Sequence, residues 1–394
     1  MRILIAGAGI AGPTLAWWLL HHGFTPTLVE SAPCLRTGGY IIDFWGAGFD
    51  IADRMQLLPA LEPLGYKVQE MRVVDDRGRS IAALPTSAFF DLTQGRFLSI
   101  ARGDLAACLY RSLQGRVEAI FGDCIAQMTQ SDTDVTVRFQ SGDTRTFDLV
   151  IGADGLHSGV RQLAFGDEAR FERYLGCKAA AFQVAGYGPR DELVYVMHTQ
   201  VGKQIARFSM RDNRTMFLFT FRDKDPAIPA TLGEQKAFLR HRFAGLAWEV
   251  PQILDALETA SELYFDRVSQ IRMGTATCSW SRERMALVGD AAFCVSLLAG
   301  QGSALAMVAA YILAGELSRS PEDPTRAFAR YQQRFGPFVL GKQRAALRMV
   351  DFFAPRSALA LSLRNGAVRL MSRPWIVNLA AGRSLYDRIE IPEY

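Results

Sequence analysis

The first thirty residues constrain the fold more than any other part of the chain. Arg2–Ala6 is an apolar run, Gly7–Gly12 is rich in glycine, and Pro13–His22 carries apolar residues at helical spacing. Proline suits the first turn of a helix, and Gly23 suits the position just after its end. Thr27–Glu30 then predicts a second strand. The segment is therefore expected to form a βαβ unit with a parallel strand pair, the start of an α/β domain.

The glycines between the first strand and the helix match the pattern GxGxxG. In this pattern Gly7 permits a tight turn, Gly9 lets the backbone approach a pyrophosphate, and Gly12 lets helix and strand pack closely. Glu30 ends the second strand, where a carboxylate accepts hydrogen bonds from a ribose diol. The context predicts dinucleotide binding. The alternative is a turn with coincidental glycines and an exposed glutamate, and the motif alone does not choose between FAD and NAD.

The rest of the chain predicts an interrupted domain. From Lys178 to Phe221 the sequence has the pattern of meandering strands, whereas Met285–Val288 predicts a strand that leads into Gly289-Asp290 and a long apolar helix. The two ends of the chain are therefore expected to build one nucleotide-binding domain around a strand-rich insert. The predicted division is a Rossmann-like domain over 1–72, 97–172 and 272–335, a mostly antiparallel sheet domain over 73–96 and 173–271, and a C-terminal helical segment over 336–394.

Charge and cysteine content argue against several classes of protein. The net charge is +4 over 394 residues, with no dense run of Lys or Arg, so no nucleic-acid or membrane partner is predicted. The six cysteines are scattered without a CxxC pair, and no histidine cluster has metal-ligand spacing. We expect reduced thiols, no metal site and a cytoplasmic location. The longest uncharged stretch, Ala291–Gly315, has too short an apolar part to span a membrane.

Three motifs occur in a characteristic order: GAGIAG at 7–12, DLVIGADGLHSGVR at 148–161 and VGDAA…AGQG within 288–302. On these motifs the chain resembles the group A flavoprotein monooxygenases with the p-hydroxybenzoate hydroxylase fold, over roughly residues 1–335. Within that family it looks most like the tetracycline-inactivating monooxygenases. That narrower resemblance depends on GGYIIDFWG at 38–46, on Phe265–Met273 and on Ala309–Leu317.

The resemblance implies an FAD-binding domain of the GR2 type, with FAD as cofactor and NADPH or NADH as co-substrate. Asp290 would contact the FAD ribityl chain, Asp154 and Gly155 would brace the pyrophosphate and take part in NAD(P)H handling, and Arg102 would reach the flavin. The full set of cofactor-binding residues that it implies is Gly7, Gly9, Ala11, Gly12, Glu30, Arg36, Gly39, Arg102, Asp154, Gly155, Gly289, Asp290, Gly300, Gln301 and Gly302.

The implied reaction is hydroxylation of a small, aromatic or polyketide-like (tetracycline-like) substrate. NAD(P)H would reduce FAD, dioxygen would form a flavin C4a-hydroperoxide, and its distal oxygen would attack the substrate, so that no catalytic side chain is required. The pocket is expected between the insert and the flavin. Because side chains alternate along a strand, an insert residue has about a half chance of facing inward. The candidate substrate residues are Trp45, Phe182, Gln183, His198, Arg207 and Phe219.

The sequence departs from the family pattern at three positions. Phe293 stands where the family often has His after GDAA, Ser296 stands where it usually has Pro, and Ala304 replaces a common Asn. These departures keep open a flavin oxidase or dehydrogenase without oxygen insertion. A non-redox, FAD-dependent pathway protein is the other alternative. A monomer and a homodimer are both compatible with the sequence, and no partner is expected beyond the small-molecule substrate and dioxygen.

Overall fold

The computed structural model describes residues 1–36, 40–87, 90, 93–274, 278–371 and 389–394. The helices are α1 (Ala11–His21), α2 (Ala47–Arg54), α3 (Leu58–Leu61), α4 (Arg102–Arg111), α5 (Gly159–Phe165), α6 (Leu232–Phe243), α7 (Val250–Thr259), α8 (Asp290–Phe293), α9 (Gly302–Arg319), α10 (Pro324–Phe353) and α11 (Ala358–Met371). Short 3-10 turns lie at Glu62–Leu64, Glu168–Arg170 and Leu297–Ala299.

The strands are β1 (Arg2–Ala6), β2 (Thr25–Glu30), β3 (Ile41–Trp45), β4 (Glu70–Val74), β5 (Ser80–Pro85), β6 (Phe97–Ala101), β7 (Glu118–Phe121), β8 (Ile125–Gln130), β9 (Val135–Phe139), β10 (Thr144–Phe147), β11 (Leu149–Gly152), β12 (Glu172–Ala185), β13 (Val194–Gln200), β14 (Lys203–Ser209), β15 (Arg214–Arg222), β16 (Tyr264–Ile271), β17 (Ser281–Arg282) and β18 (Met285–Leu287).

The two ends of the chain share one six-stranded sheet. Its order is β17-β18-β11-β1-β2-β7, and β1 pairs in parallel with both β2 and β11. The late strand β18 joins in parallel through Gly152 and Leu287. Ile3, Leu4 and Ile5 are fully buried, as expected for a parallel strand in an α/β sheet that is covered on both faces. The prediction that both ends build one nucleotide-type fold is confirmed.

The insert forms a seven-stranded sheet in the order β16-β12-β15-β14-β13-β4-β5. Its pairs are antiparallel except for the parallel pair of β13 and β4, which agrees with the predicted, mostly antiparallel insert. The strands come from residues 70–85 and 172–271. The division of the chain into domains remains a prediction.

The two faces of this sheet pack against different parts of the molecule. On the outer face Phe182 and Phe219 share a core with Phe243 of α6 and Val250 of α7. On the inner face Phe208 and Met216 share a core with Ile41 of β3 and Ala101 of β6. Successive residues of a strand point to opposite faces. The strand registers therefore assign every residue of the sheet to the outer or the inner face.

The antiparallel pair β3–β6 lies between the two sheets. Ile42 and Phe44 of β3 enter the main core, whereas Ile41 packs against the inner face of the insert sheet. The sequence analysis did not predict this pair. Because successive side chains of β3 point to opposite sides, this pair joins the nucleotide-type domain to the insert.

The predicted boundary between residues 335 and 336 stays a prediction, and both residues lie within the continuous helix α10. Tyr331 and Phe335 of α10 pack in the main core, and Val350 near its other end packs against Cys177 and Val268 of the insert sheet. One helix therefore spans both parts. α11 covers the inner face, where Val368 packs against the sheet. Among the described residues no helix combines the length and apolar composition that crossing a bilayer requires.

Candidate active site

The glycine-rich turn between β1 and α1 has no room for a side chain at Gly7 or Gly12. Gly7 has φ +105°, and a Cβ there would lie 2.5 Å from the Ala153 carbonyl oxygen. A Cβ on Gly12 would lie 1.9 Å from the Gly7 oxygen. The backbone of this turn is therefore held directly against β11, and both positions require glycine.

Glu30 holds this turn to the end of β2. Its carboxylate accepts hydrogen bonds from the Ala8 amide (2.8 Å) and the Ala32 amide (3.0 Å). Arg36 lies 3.9 Å from the carboxylate, and its side chain is 74% exposed. Gly39, the other cofactor residue expected in this segment, lies outside the described residues. Glu30 thus already has a structural role before any ribose is considered.

The helices α1 and α9 begin without side-chain caps. Neither start has a capping side chain or an acidic residue in its first turn. By contrast α5, α6 and α10 are capped by Ser158, Thr231 and Asp323. A Cβ on Gly289, in the turn before α8, would lie 3.1 Å from the Ala11 Cβ at the start of α1. Free amides at such helix starts favour an anion.

Arg102 and Asp290 lie beside these helix starts. An Arg102 guanidinium nitrogen lies 3.6 Å from where a Gly9 Cβ would be, and Asp290 Oδ1 lies 3.7 Å from the corresponding point at Gly302. Neither side chain forms an ion pair within the part of the chain that the structure describes. Burial raises the pKa of Asp290, and the Arg102 charge partly opposes that shift. Arg102 and Asp290 are thus close enough to interact electrostatically without forming an ion pair.

Two tyrosines lie between Arg102 and the insert sheet, and Tyr40 is also near Asp290. Tyr40 precedes β3 and Tyr264 begins β16, and their ring centroids are 5.6 Å apart. Burial raises the pKa of Tyr40 to about 12, with Arg102 acting in the opposite direction. The phenols therefore remain protonated at neutral pH. They mark the point where the nucleotide-type domain meets the inner face of the insert sheet.

The turn after β11 uses the Asp154 carboxylate internally. Oδ1 accepts from Ser158 Oγ (2.5 Å) and Oδ2 accepts from the Val160 amide (3.0 Å), so both oxygens stabilise the start of α5. Gly155 has φ +83°, which favours glycine. A direct contact between the Asp154 carboxylate and a cofactor remains a prediction.

Arg161, to which the sequence analysis gave no role, links two motifs. Its side chain is completely buried and donates to the carbonyl oxygens of Ala291 (3.0 Å) and Leu156 (2.7 Å) and to the Glu168 carboxylate (2.6 Å). The Asp154 turn is thereby tied to α8, which begins with Asp290. The only signal in the sequence was the place of this arginine in the second motif.

His157 connects the same turn to the insert sheet. Its ring nitrogens lie 2.9 Å from Glu168 and 3.3 Å from Asp266 of β16. The hydrogen bond to Asp266, together with Glu168, raises the pKa of His157 to about 9. The imidazole is therefore a cation at neutral pH.

These features fit an FAD molecule. The uncapped starts of α1 and α9 offer amides to a pyrophosphate. The unpaired charges of Arg102 and Asp290 can be satisfied by polar atoms of a cofactor. The residues Gly300, Gln301 and Gly302 lead into α9, and Gly300 is in the left-handed conformation.

Comparison with known proteins agrees with this geometry. The family described as FAD binding domain matches residues 109–322. A flavin-dependent monooxygenase from an unknown prokaryotic organism is 35% identical over all of this chain and 99% of its own length. The crystal structures of the tetracycline destructases Tet(51) and Tet(55) are 33% and 34% identical, with TM-scores of 0.83 and 0.84. They match 100% of this chain and 99% and 98% of their own chains, respectively.

The chain belongs to the group A flavin-dependent monooxygenases. It is accordingly an FAD-dependent oxidoreductase, and it is similar to the tetracycline destructases throughout its length.

In this monooxygenase the Ser296 departure has a physical basis. Ser296 has φ +123°, whereas the proline ring fixes φ near −65°. Its hydroxyl also accepts a hydrogen bond from the Leu298 amide (3.3 Å). The loop next to α8 thus has a conformation that the usual proline cannot adopt. Phe293 is buried against Trp280 and Phe335, so the position of the family's histidine is part of an aromatic core.

Four candidate substrate residues of the monooxygenase lie on the outer face, contrary to expectation. Phe182 and Phe219 belong to the core beneath α6 and α7. His198 stacks on Trp248 and lies 2.9 Å from Asp76. Arg207 is paired with acidic residues on that same side. The expectation that these four line the flavin-side pocket is wrong, because alternation turns them away from it.

Gln183 and Trp45 have different surroundings. Gln183 is the register partner of Met216, which places it on the inner face. Trp45 is four residues after Ile41 on β3, so both side chains point to the same side of the strand. Lys342 of α10 lies 5.9 Å from the Trp45 ring. Both therefore remain candidates for the substrate pocket.

Proposed function

We propose that this monooxygenase uses NADPH or NADH and dioxygen to hydroxylate a small aromatic or polyketide-like compound, with tetracycline-like molecules as the first class to test. The observation that carries the proposal is that Tyr40 and Tyr264, at the inner face of the insert sheet, adjoin the Arg102–Asp290 region. A substrate on that face would adjoin the cofactor. The similarity to Tet(51) and Tet(55) supports the substrate class.

The proposed FAD contacts combine the roles that the family resemblance implies with the positions of these residues. The turn at Gly7, Gly9, Ala11 and Gly12 and the start of α1 would bind the pyrophosphate, and Glu30 would position the turn and adjoin the ribose. Asp290 would bind the ribityl hydroxyls, and Arg102 would face the flavin. The amides at Gly300–Gly302 would stabilise negative charge on the pyrimidine edge. Electron transfer from NAD(P)H to dioxygen is the chemistry that FAD supplies when bound.

The chain's own contribution is to orient the substrate and exclude water. Ala181, Leu218, Ala206 and Met197 are register partners in one apolar row across the inner face, and Tyr264 stands at the end of that row nearest the cofactor. We call this row the floor of the proposed pocket. Because two of its residues are alanines, their side chains project little from the sheet. An apolar floor favours a flat ring system and excludes the water that would divert oxygen chemistry to hydrogen peroxide.

The first experiment is to confirm bound FAD and to incubate the enzyme in air with NADPH or NADH and a panel of tetracyclines, phenols and quinolones. Products are identified by mass spectrometry with isotopic dioxygen. We expect a product heavier by one oxygen atom, with the label drawn from dioxygen. Oxidation of NAD(P)H that yields only hydrogen peroxide with every panel member would contradict the substrate class. Absence of NAD(P)H oxidation throughout would contradict the monooxygenase proposal for this chain.

A variant of the floor tests the location of the pocket. Ala181 is 3% exposed and lies between Leu218 and Tyr264. Ala181→Leu should lower kcat/KM for the substrate by about tenfold or more while FAD content stays unchanged, since a misplaced substrate loses its reactive geometry. Ala181→Gly is the matched control and should retain most of the activity. Equal kinetics for the Leu variant and the wild type would place the substrate elsewhere.

A further inference from the structure

The four buried Arg and Lys side chains of the described residues differ in whether they have an acidic partner. Three of them form ion pairs: Arg161 with Glu168 (2.6 Å), Lys178 with Asp223 (2.9 Å) and Arg207 with Asp191 (2.7 Å). The fourth, Arg364 of α11, is 8% exposed, and the described part of the chain supplies it with no carboxylate partner. Three buried cations are thus neutralised by a carboxylate, whereas no described residue neutralises Arg364.

The groups around Arg364 are neutral. Its guanidinium donates to Thr199 Oγ1 (2.5 Å), Gln204 Oε1 (3.3 Å) and Asn365 Oδ1 (2.9 Å), and it lies 5.3 Å from the Phe352 ring. Its Nε is buried without a hydrogen-bond acceptor. Desolvation lowers the pKa of Arg364 to about 10, so the side chain remains charged at neutral pH.

These hydrogen bonds do not explain why a cation is needed. Thr199 Oγ1 already donates to Gln204 Oε1 (2.8 Å), so both groups would remain partnered without the arginine. An isolated buried charge is costly, and an apolar replacement is often neutral or stabilising for the fold. No described residue supplies an anion to pair with Arg364, so we look for its partner in a bound ligand.

Arg364 lies above the inner face of the insert sheet. Thr199, Gln204, Thr220, Ala179 and Asp266 are register partners in one row across that face. The Thr220 hydroxyl, next to Gln204 in the row, is likewise buried without a partner. Two unsatisfied polar atoms thus flank Gln204 beneath α11, and together they offer a donor set for an oxygen atom.

The distance from the cofactor end limits the size of the ligand. Tyr264 lies two residues before Asp266 on the same strand and the same face. From β16 to β14 there are three steps between strands, or about 14 Å at the usual spacing. One aromatic ring is shorter than this span, whereas a fused multi-ring system approaches it.

We propose that Arg364 recognises an anionic oxygen of the substrate, a carboxylate, phenolate or enolate, at the end of a multi-ring molecule remote from the reacting carbon. This inference rests on the proposed function and specifies its substrate class. Because the unsatisfied atoms have no solvent exposure, α11 must shift from the sheet to admit that oxygen. Arg364 is a specificity residue and takes no part in oxygen transfer.

The test combines stability with binding. Arg364→Met removes the charge and keeps apolar volume, Arg364→Lys keeps the charge, and Arg369→Met on the same helix is the matched control for loss of an exposed arginine. Binding is measured by fluorescence with anthracene-2-carboxylate and its neutral carboxamide, which are similar in size and shape but differ in charge. KM and kcat are measured with tetracycline.

In the wild type the carboxylate should bind at least about tenfold more tightly than the amide, the range of a charge-assisted hydrogen bond. Arg364→Met should lose this preference and raise KM for tetracycline about 10- to 100-fold, while its melting temperature is unchanged or higher. Arg364→Lys should recover part of the preference, and Arg369→Met should keep it.

Two results would overturn the inference. One is equal binding of acid and amide by the wild type, or binding of neither. The other is an Arg364→Met variant that melts lower and retains the preference, which is the behaviour of a purely structural arginine. Failure of tetracycline turnover alone, with the charge preference intact, would count against the proposed function and leave the role of Arg364 supported.

Discussion

Asp154 and Asp290 differ in how fully the chain itself satisfies their carboxyl oxygens. Asp154 has both oxygens engaged by its own turn, through Ser158 and the Val160 amide. Asp290 receives a hydrogen bond from the Cys294 thiol and has no ion-pair partner among the described residues, although Arg102 is close enough to affect its pKa. Loss of the first should damage a turn, whereas loss of the second should damage a binding site.

Asp290→Ala should therefore abolish FAD retention, and Asp290→Asn should weaken it about 10- to 100-fold through loss of a charge-assisted hydrogen bond. The measurements are the flavin absorbance of the purified protein and the Kd for FAD after reconstitution. A yellow Asp290→Ala protein of normal affinity would remove Asp290 from the cofactor site.

Ser296 gives a second residue-scale prediction. Ser296→Pro cannot keep φ at +123°, so it should lower the free energy of unfolding by about 3 kcal/mol or more. Ser296→Gly accepts this conformation and should stay within about 1 kcal/mol of the wild type. Both are measured by urea denaturation of the FAD-loaded enzyme. A proline variant as stable as the wild type would show that this loop adopts the family's usual conformation.

At the scale of elements, local signals predicted the strand, glycine turn and helix of the first thirty residues. β1 is the predicted Arg2–Ala6, because its apolar run and the adjacent glycines are contiguous in sequence. The pair β3–β6 was missed because its partners, such as Asp43 and Ser99, are distant in sequence and carry no turn signal between them. Long-range pairing has no local pattern to reveal it.

Elements are also joined by single side chains, as Arg161 joins α5 to α8. Arg161→Met should lower the free energy of unfolding by about 3–5 kcal/mol, since it leaves buried carbonyl oxygens and Glu168 without their donor. It should also weaken FAD binding, because α8 carries Asp290. Arg170→Met, which replaces an exposed arginine nearby, is the control for chemical denaturation. A variant as stable as this control would mean that the link is dispensable.

The sequence could not show which face of the insert sheet each candidate substrate residue occupies. The C-terminal part of β12, KAAAFQVA at 178–185, is mostly apolar on both faces because both faces are covered. A strand without an apolar-polar alternation gives no indication of which side faces the cofactor. Phe182 and Gln183 were therefore equivalent candidates, and only the packing of α6 and α7 separates them. Arg364 had no distinguishing pattern in the sequence at all.

At the scale of the whole molecule, His157 joins the nucleotide-type domain to β16 of the insert sheet through Asp266. Its pKa is about 9 in the folded protein and near 6.5 when unfolded. A raised pKa stabilises the folded state fully below pH 6.5, and this contribution is lost as the pH rises through 9. Because the imidazole is about half exposed, solvent screening keeps the effect modest.

The melting temperature of the wild type should accordingly fall more steeply between pH 6.5 and pH 9.5 than that of His157→Gln. Differential scanning fluorimetry across this range measures both proteins. The two curves should converge at the alkaline end, where the wild-type imidazole is neutral. Parallel curves would show that the His157–Asp266 pair does not contribute to stability in solution.

The two-faced insert sheet also bears on how this enzyme can change over evolution or in directed libraries. The outer face is filled by aromatic rings that pack against α6 and α7, so substitutions there lower the stability of the fold. On the inner face, one residue further along the same strands, small side chains such as Ala181 and Ala206 can be exchanged without disturbing those rings. If the proposed pocket is correct, substrate range would diversify at inner-face positions such as Ala181, while the outer-face positions between them preserve the scaffold.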